Sequence, residues 1–327
     1  MDQTLTKIAN IGLSRRGFLA GAGAASAATL VGCGNSMTPT SVVPTAPAAP
    51  ATITDVDILN FALNLEYLEA EFYLRAATGS GIPAADGGGT VIGGAKVNFS
   101  AGAAPSFYIN LANELAQTEL THVRAIRSTI VSLGGTPVSA PNIDLTNSFN
   151  GAAFAAGIGP SFNAFADTNS YLIGSFVFED VGVTAYTGAA GLITNTAVLT
   201  AAAGIQAIEA YHAATLRNLI AYRAVATGDM TYLNYANQIV QLRSSLGGGK
   251  ETTINPGATT AATMATSPYF ASVTASTIIA ADANALAYAR TTDQVLHVVY
   301  ATAPGKYTTG GGFFPNGLNG TIKTPTT

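Results

Sequence analysis

The chain has 327 residues, of which 48% are apolar and only 10% are charged, and its formal net charge is −4. This mild balance, with no basic run after the amino-terminal leader, argues against a nucleic-acid ligand. The length suffices for one large core with an appendage. Cys33 is the only cysteine, so an intramolecular disulfide is excluded and packing, with or without a bound metal, must hold the fold.

Residues 1–33 have the features of an export signal. Ser14-Arg15-Arg16-Gly17-Phe18-Leu19 reads as a twin-arginine motif, and the apolar run that follows is shorter than the roughly 20 residues of a membrane span. The run ends in Leu30-Val31-Gly32-Cys33, which resembles a lipoprotein box with Cys33 as the lipidated residue. The alternative is an unmodified cysteine in a leader that is cleaved elsewhere. Both interpretations predict a periplasmic or cell-envelope protein, and lipidation predicts a membrane anchor.

Residues 34–52 consist mainly of Ser, Thr, Pro and Ala without charge, which predicts a disordered tether. The first helix is predicted from Asp55 to Ala77, with Glu66 at the middle of its apolar face. Its neighbours Glu69 and Glu71 are interpreted as solvated charges or as alternatives in helix register. Tyr73 lies two turns beyond Glu66, where it is either a catalytic hydrogen-bonding group or an ordinary core tyrosine.

A second helix is predicted from Pro105 to about Leu133, after a long Gly-rich connection. Glu119 and His122 lie on its inward face. Residues 134–168, rich in Phe, Asn and Gly, are long enough to cross the full height of a bundle. One long crossover between two helical hairpins is the ferritin-like connection, and a simple up-down bundle has short loops throughout.

The third helix is predicted from Asn169 to Asn195, with Glu179 at its centre and Tyr186 seven residues later. A membrane span is the weaker interpretation of this apolar stretch, because a carboxylate pair at the middle of a span is costly. The fourth helix is predicted from about residue 196 to Tyr222 or Ala226, and its inward face includes Glu209 and His212.

Two of the three histidines follow a glutamate by three positions, as Glu119-Leu-Thr-His122 and Glu209-Ala-Tyr-His212. Residues at this spacing share one helix face, so each pair can direct a carboxylate and an imidazole at one point. One more carboxylate from each of the other two helices completes a dinuclear site. Carboxylate and imidazole donors without thiolate suit two Fe or Mn ions. The predicted ligands are Glu66, Glu119, His122, Glu179, Glu209 and His212, with Glu119 and Glu209 as bridges and Tyr73 and Tyr186 as catalytic residues.

The tail, residues 227–327, is predicted to be an arm that wraps the bundle. One short helix is predicted near Ser276 to Arg290 and another from Asp293 to Tyr300. His297 has Asp293 as its only acidic neighbour at helical spacing, and it is interpreted as structural.

The Leu63 to Tyr73 stretch, both Glu-x-x-His motifs and Glu179 resemble the ligand helices of the ferritin-like superfamily over residues 53–226. The segments Tyr288 to Leu296 and Gly311 to Gly320 resemble the arm of a secreted branch that includes plant desiccation-related proteins. The resemblance implies an all-α, ferritin-like four-helix bundle with a long crossover between helices two and three, a C-terminal arm with short helices, and metal binding.

Two functions are compatible with these features. One is redox handling of peroxide or oxygen in stress protection. The chain has no Cys-x-x-Cys module, so an external electron donor or a self-balancing reaction, as in dimanganese catalases, is then required. The other is a non-enzymatic envelope protein with a structural or vestigial metal site. A homo-oligomer is compatible with either.

Overall fold

Four long helices form the body of the protein, in a computed structural model that describes residues 52–101, 104–257 and 277–326. They are α1 (Asp55–Thr78), α2 (Pro105–Ser132), α4 (Thr168–Ala190) and α5 (Thr196–Thr227). The shorter elements are α3 (Asn147–Ala155), α6 (Thr231–Leu246), α7 (Thr292–Val299), β1 (Val91–Ile92) and β2 (Ile143–Asp144). The predicted signal, with Cys33, lies outside the described residues, and so does the predicted tether apart from residue 52.

The four long helices pair as two hairpins, α1 with α2 and α4 with α5. Residues 133–167 cross from the first hairpin to the second, and they contain β2 and α3. Strand β1, from the α1–α2 connection, pairs in parallel with β2 through Val91 with Ile143 and Ile92 with Asp144. The predicted all-α, ferritin-like bundle with a long crossover is therefore confirmed. In the described part of the chain, no helix is both long and apolar enough to span a membrane.

The helix ends follow local capping chemistry. Helix α1 begins with a capping box between Thr54 and Asp57. The prediction that the third helix reaches Asn195 was wrong, because α4 ends at Ala190 and Asn195 instead caps α5 by accepting from the Ala197 N–H at 2.9 Å. The Asp55 carboxylate accepts from the backbone N–H groups of residues 194 and 195, which fixes the turn between α4 and α5.

Helices α3 and α6 were not predicted. Helix α6 buries one regular face, formed by Leu233, Ala236, Ile239 and Val240, so the sequence does carry its period. The predicted helix near Ser276 to Arg290 was wrong: Ser276 lies outside the described residues and residues 277–290 contain no helix. There, the Asp282 carboxylate accepts from the N–H groups of residues 284 and 286 and stabilises a turn. The last predicted helix is confirmed as α7.

The C-terminal segment packs against α1. Asn64 donates its side-chain N–H to the Asn319 carbonyl at 2.9 Å and accepts from the Asn319 N–H at 2.9 Å. The Tyr300 hydroxyl accepts from the Leu318 N–H at 2.9 Å and donates to the Lys323 carbonyl at 2.7 Å. Such side-chain bonds to the backbone fix an irregular segment that has no ladder of its own.

Five buried charges connect the C-terminal segment to α4, α5 and α6. Asp180 accepts from Arg217 at 2.9 Å and from Arg243 at 2.8 Å. Glu251 accepts from Arg243 at 2.9 Å and from Arg290 at 2.7 Å. The three guanidinium groups also donate to backbone carbonyls or to a threonine hydroxyl. Each carboxylate therefore has two cationic partners within this network.

Removal of the central carboxylate should strongly destabilise the fold. In Asp180→Ala, the buried Arg217 loses its carboxylate partner and Arg243 keeps only Glu251, so we expect the free energy of unfolding to fall by about 3–5 kcal/mol. The matched control is Asp86→Ala, which breaks the exposed pair of Asp86 with Arg124 and should leave stability almost unchanged. Urea denaturation followed by circular dichroism measures both variants. Equal losses would contradict the assignment of this network as a fold-determining contact.

Candidate metal centre

All six predicted ligands meet in the interior of the bundle. The four carboxylates are fully buried, and His122 and His212 are only 6% and 9% exposed. The donor atoms fall into two groups, each within 4.8 Å, and these are Glu66, Glu119, His122 and Glu209 in the first group and Glu119, Glu179 and His212 in the second. Glu119 belongs to both groups, as a bridging ligand would. Glu209 belongs to the first, and its bridging role stays a prediction.

Both imidazoles direct Nδ1 at the carboxylates. His122 Nδ1 lies 3.2 Å from Glu119 Oε2, 3.3 Å from Glu66 Oε2 and 3.4 Å from Glu209 Oε1. His212 Nδ1 lies 3.0 Å from Glu119 Oε1 and 3.4 Å from Glu179 Oε2. The centroids of the two imidazole rings are 6.4 Å apart. The Glu-x-x-His spacing thus places both donors of each pair at the common centre, as helix geometry predicts.

Several of these donor atoms have no hydrogen bond to a described residue. They are Glu66 Oε2, Glu119 Oε1, Glu179 Oε2, both carboxylate oxygens of Glu209, and His212 Nδ1. His212 Nδ1 and Glu119 Oε1, for example, lie 3.0 Å apart, but their orientation does not meet hydrogen-bond geometry. Buried polar atoms are normally satisfied, and a concentration of unsatisfied lone pairs at one point is the environment that a cation requires. The residues present therefore fit a dinuclear cation site. With neutral imidazoles, the four carboxylates match the charge of two divalent ions.

The two predicted tyrosines are in contact with this cluster in a reciprocal arrangement. Tyr73 of α1 donates its hydroxyl to Glu179 of α4, and Tyr186 of α4 donates its hydroxyl to Glu66 of α1. Each tyrosine leaves the second oxygen of its carboxylate free to face the centre. The hydrogen bonds orient the two carboxylates and connect the hairpins. A catalytic role for either tyrosine stays a prediction.

The interpretation of Glu69 and Glu71 as solvated charges was wrong, because both side chains are only 5% exposed. Glu71 pairs with Arg75 at 2.9 Å and accepts from the Ile82 N–H at 3.2 Å, so the connection after α1 covers it. Glu69 lies beside the centre, and the signal for it was present, since it follows Glu66 by three positions and precedes Tyr73 by four.

Comparison with known proteins agrees with this geometry. A family model described as a ferritin-like domain matches residues 54–222. This chain belongs to the ferritin-like family. Among similar ferritin-like proteins, "Ferritin-like catalase Nec2" from Nesocodon mauritianus is 31% identical over 281 residues, which cover 82% of this chain and 84% of that protein. "Desiccation-related protein PCC13-62" from Craterostigma plantagineum is 36% identical over 206 residues, which cover 59% of this chain and 63% of that protein.

Burial and mutual charge perturb the acid–base behaviour of this ferritin-like centre. Burial raises the pKa of Glu66 to about 7 although His122 acts in the opposite direction. Burial also raises the pKa of Glu179, and it raises that of Glu209 well above its usual range. Without metal, all three shifts therefore make protonation easier than in a free glutamate.

The shared ligand Glu119 behaves differently. Burial acts to raise its pKa, but the adjacent imidazoles of His122 and His212 outweigh burial and lower that pKa to about 2. Burial acts to lower the pKa of His212, yet Glu179 and Glu119 raise it to about 11. The pKa of His122 is likewise raised, because Glu119, Glu209 and Glu66 outweigh its burial. Without metal, protons on the imidazoles and carboxyl groups supply the missing counter-charge.

Substitution of one ligand should remove metal without unfolding the protein. We expect wild-type protein to bind about two Fe or Mn ions per chain. Glu66→Gln keeps the size of the side chain but loses the anionic donor, so the metal content should fall by roughly half or more. The matched control is Glu71→Gln, a buried glutamate on the same helix that faces Arg75, and it should retain both ions. Plasma mass spectrometry of the purified proteins measures the content, and equal content in both variants would contradict the assignment.

The stability of protein stripped of metal by a chelator should fall as the pH rises. The raised pKa values of Glu66 (from 4.5 to about 7) and His212 (from 6.5 to about 11) mean that the folded state binds more protons than the unfolded state above pH 4.5. This stabilisation is present at low pH and is lost as the pH rises through those values. We expect Tm to be roughly 5 °C or more lower at about pH 8 than at about pH 5.

Metal-loaded protein should show the opposite trend, because protons compete with metal for carboxylates and imidazoles as the pH falls below about 7. Calorimetry of the loaded and stripped forms tests both slopes. Parallel pH profiles for the two forms would contradict a metal site at this cluster.

Proposed function

We propose that this protein is an exported, two-metal Fe or Mn protein that removes hydrogen peroxide by disproportionation in stress protection. The observation that carries the proposal is the convergence of four carboxylates and two imidazole Nδ1 atoms, several without hydrogen bonds, inside a ferritin-like bundle. A pair of redox-active ions, when bound there, can accept two electrons from one peroxide and return them to another. The reaction, two H₂O₂ to two H₂O and O₂, is balanced without an external reductant.

The residues of the chain support this reaction in three ways. The six ligands hold the charge of the ions, with Glu119 common to both groups of donors. Tyr73 and Tyr186 orient Glu179 and Glu66 from the opposite hairpin. The surrounding core is apolar and aromatic, and it excludes bulk water from the centre. A single cysteine provides no thiolate relay for electrons, which favours a self-balancing reaction over a reductase with its own electron-transfer module.

The similar proteins support the proposal through their names. The relative that covers most of this chain is called a ferritin-like catalase, and the second is called a desiccation-related protein. The twin-arginine motif and the lipobox with Cys33 support export to the periplasm or cell envelope and a lipid anchor in a membrane. A twin-arginine route carries folded proteins, which agrees with a centre that is loaded before export.

Oxygen evolution from hydrogen peroxide tests the function directly. Metal-loaded wild-type protein should release O₂ in an oxygen electrode, and Glu119→Ala should lower the rate roughly a hundredfold or more, because it removes a donor that both groups share. Glu71→Gln is the control for a buried glutamate outside the centre and should retain activity. Protein that carries two ions yet evolves no more O₂ than Glu119→Ala would overturn the proposed activity.

In that outcome the metal is structural, which is the alternative that the desiccation-related relative favours. A structural site predicts that metal removal lowers Tm while no peroxide or Fe(II) turnover is lost. The function would then reside in the surface of the bundle and not in its centre.

A further inference from the structure

A small cavity of about 60 Å³ lies beside the metal centre. Its walls come from α1 and α4 of the bundle and from α3, α6, α7 and the C-terminal segment, which lie outside the bundle. The walls are almost entirely apolar, and they include Leu65, Leu68, Phe178, Val181, Ile239 and Leu242. Glu69 and Gly182 line the side of the cavity that is nearest the centre.

Three polar residues line this wall, and Glu69 differs from the other two, because Ser148 donates to a backbone carbonyl and Arg243 pairs with two carboxylates. Glu69 is 5% exposed and makes no hydrogen bond to a described residue, so it offers an acceptor oxygen to a molecule in the cavity. In either protonation state a carboxyl group has such an oxygen. A buried polar group without a partner inside an apolar wall indicates a ligand with a hydrogen-bond donor.

Gly182 places no side chain between the cavity and the centre. A Cβ atom at this position would lie 2.3 Å from Glu209 Oε2 and 3.4 Å from Glu69 Oε1. Any larger residue would therefore collide with the Glu209 carboxylate. With glycine, the carboxyl groups of Glu69 and Glu209 approach each other with no side chain between them, so a molecule that contacts Glu69 lies next to Glu209.

We propose that this cavity is the chamber through which hydrogen peroxide reaches the metal centre, with Glu69 accepting a hydrogen bond from it. The proposal rests on the proposed function and adds the route that its substrate takes. One water needs about 10–15 Å³, so about 60 Å³ accommodates hydrogen peroxide but not a branched alkyl hydroperoxide. The largely apolar walls bind water weakly, and a small donor molecule gains a polar contact at Glu69.

A second cavity, of about 250 Å³, reaches His122 and Tyr186 from the opposite side of the centre. It is the competing route. Its hydroxyl groups are already engaged, since Tyr186 donates to Glu66 and Thr129 donates to the Ala125 carbonyl. It is also wide enough to admit larger molecules, and neither Glu69 nor Gly182 lines it.

Closing each cavity separately distinguishes the two routes. Ala152→Phe on α3 and Val298→Phe on α7 place a ring in the small cavity from different elements, and neither residue is a predicted ligand. Ala201→Phe fills the larger cavity. Ala155→Phe is the matched control, because Ala155 lies exposed on the same helix as Ala152. All variants are compared at equal metal content.

We expect kcat/KM for hydrogen peroxide to fall about tenfold or more in Ala152→Phe and Val298→Phe, and to change less than about twofold in Ala201→Phe and Ala155→Phe. Glu69→Leu should raise KM about tenfold, and Glu69→Gln, which keeps an acceptor oxygen, should raise it less. Wild-type protein should use tert-butyl hydroperoxide at least about a hundredfold less efficiently than hydrogen peroxide. Loss of activity in Ala201→Phe, with Ala152→Phe and Val298→Phe unaffected, would overturn the proposal.

A second measurement does not depend on turnover. The rate at which azide associates with the loaded protein, followed by stopped-flow absorption, should fall in Ala152→Phe while the azide Kd stays unchanged, because a narrowed path slows entry and exit equally. Slower azide association in Ala201→Phe alone would reject the route through the small cavity. If wild-type protein binds metal but does not consume peroxide, the proposed function fails, and the azide rates still decide the route.

Discussion

The structure depends on the compensation of negative charge in a dry core. Four fully buried carboxylates, from Glu66, Glu119, Glu179 and Glu209, face one another, and two imidazoles can neutralise only half of that charge. Isolated buried charge is too costly for a marginally stable fold, so protons or cations must supply the rest. Because this cluster is buried and positive charge is lacking in it, the pKa values of Glu66, Glu179 and Glu209 are raised. The same deficit makes the centre suitable for metal.

In a second buried charge cluster, side chains of the protein alone neutralise the carboxylates. Asp180 and Glu251 are each held by two guanidinium groups, and this cluster contains more cationic than anionic side chains. It therefore has no need of metal, and its role is to fix the C-terminal segment against α4 and α5. Asp180 directly follows Glu179 in the chain, so neighbouring carboxylates on one helix serve opposite purposes. One is fully paired by the fold, and the other is left for a ligand.

The elements outside the four-helix bundle define the surroundings of the centre. Helices α3, α6 and α7 and the C-terminal segment build the cavity in which Glu69 presents its carboxyl group. A bundle with only its four long helices would expose this face of α1 and α4 to solvent. The added helices thus convert a surface into a narrow chamber of about 60 Å³, and they account for the burial of Glu69. The proposed size selection depends on the added elements, while the convergence of the six side chains follows from the bundle.

The sequence by itself determined the four long helices, the long crossover and the six side chains that meet at the centre, because helix periodicity and the Glu-x-x-His spacing are local properties of the chain. It also contained the signals of α6 and of Glu69, which follow the same spacing. What only the tertiary structure decided was which charges are buried. Glu69 and Glu71 become buried through residues distant in sequence, and Asp180 pairs with Arg217 and Arg243 from two other helices. Residues 277–290 form turns instead of the predicted helix. Burial, pairing and cavity shape arise from contacts between elements, and no local pattern encodes them.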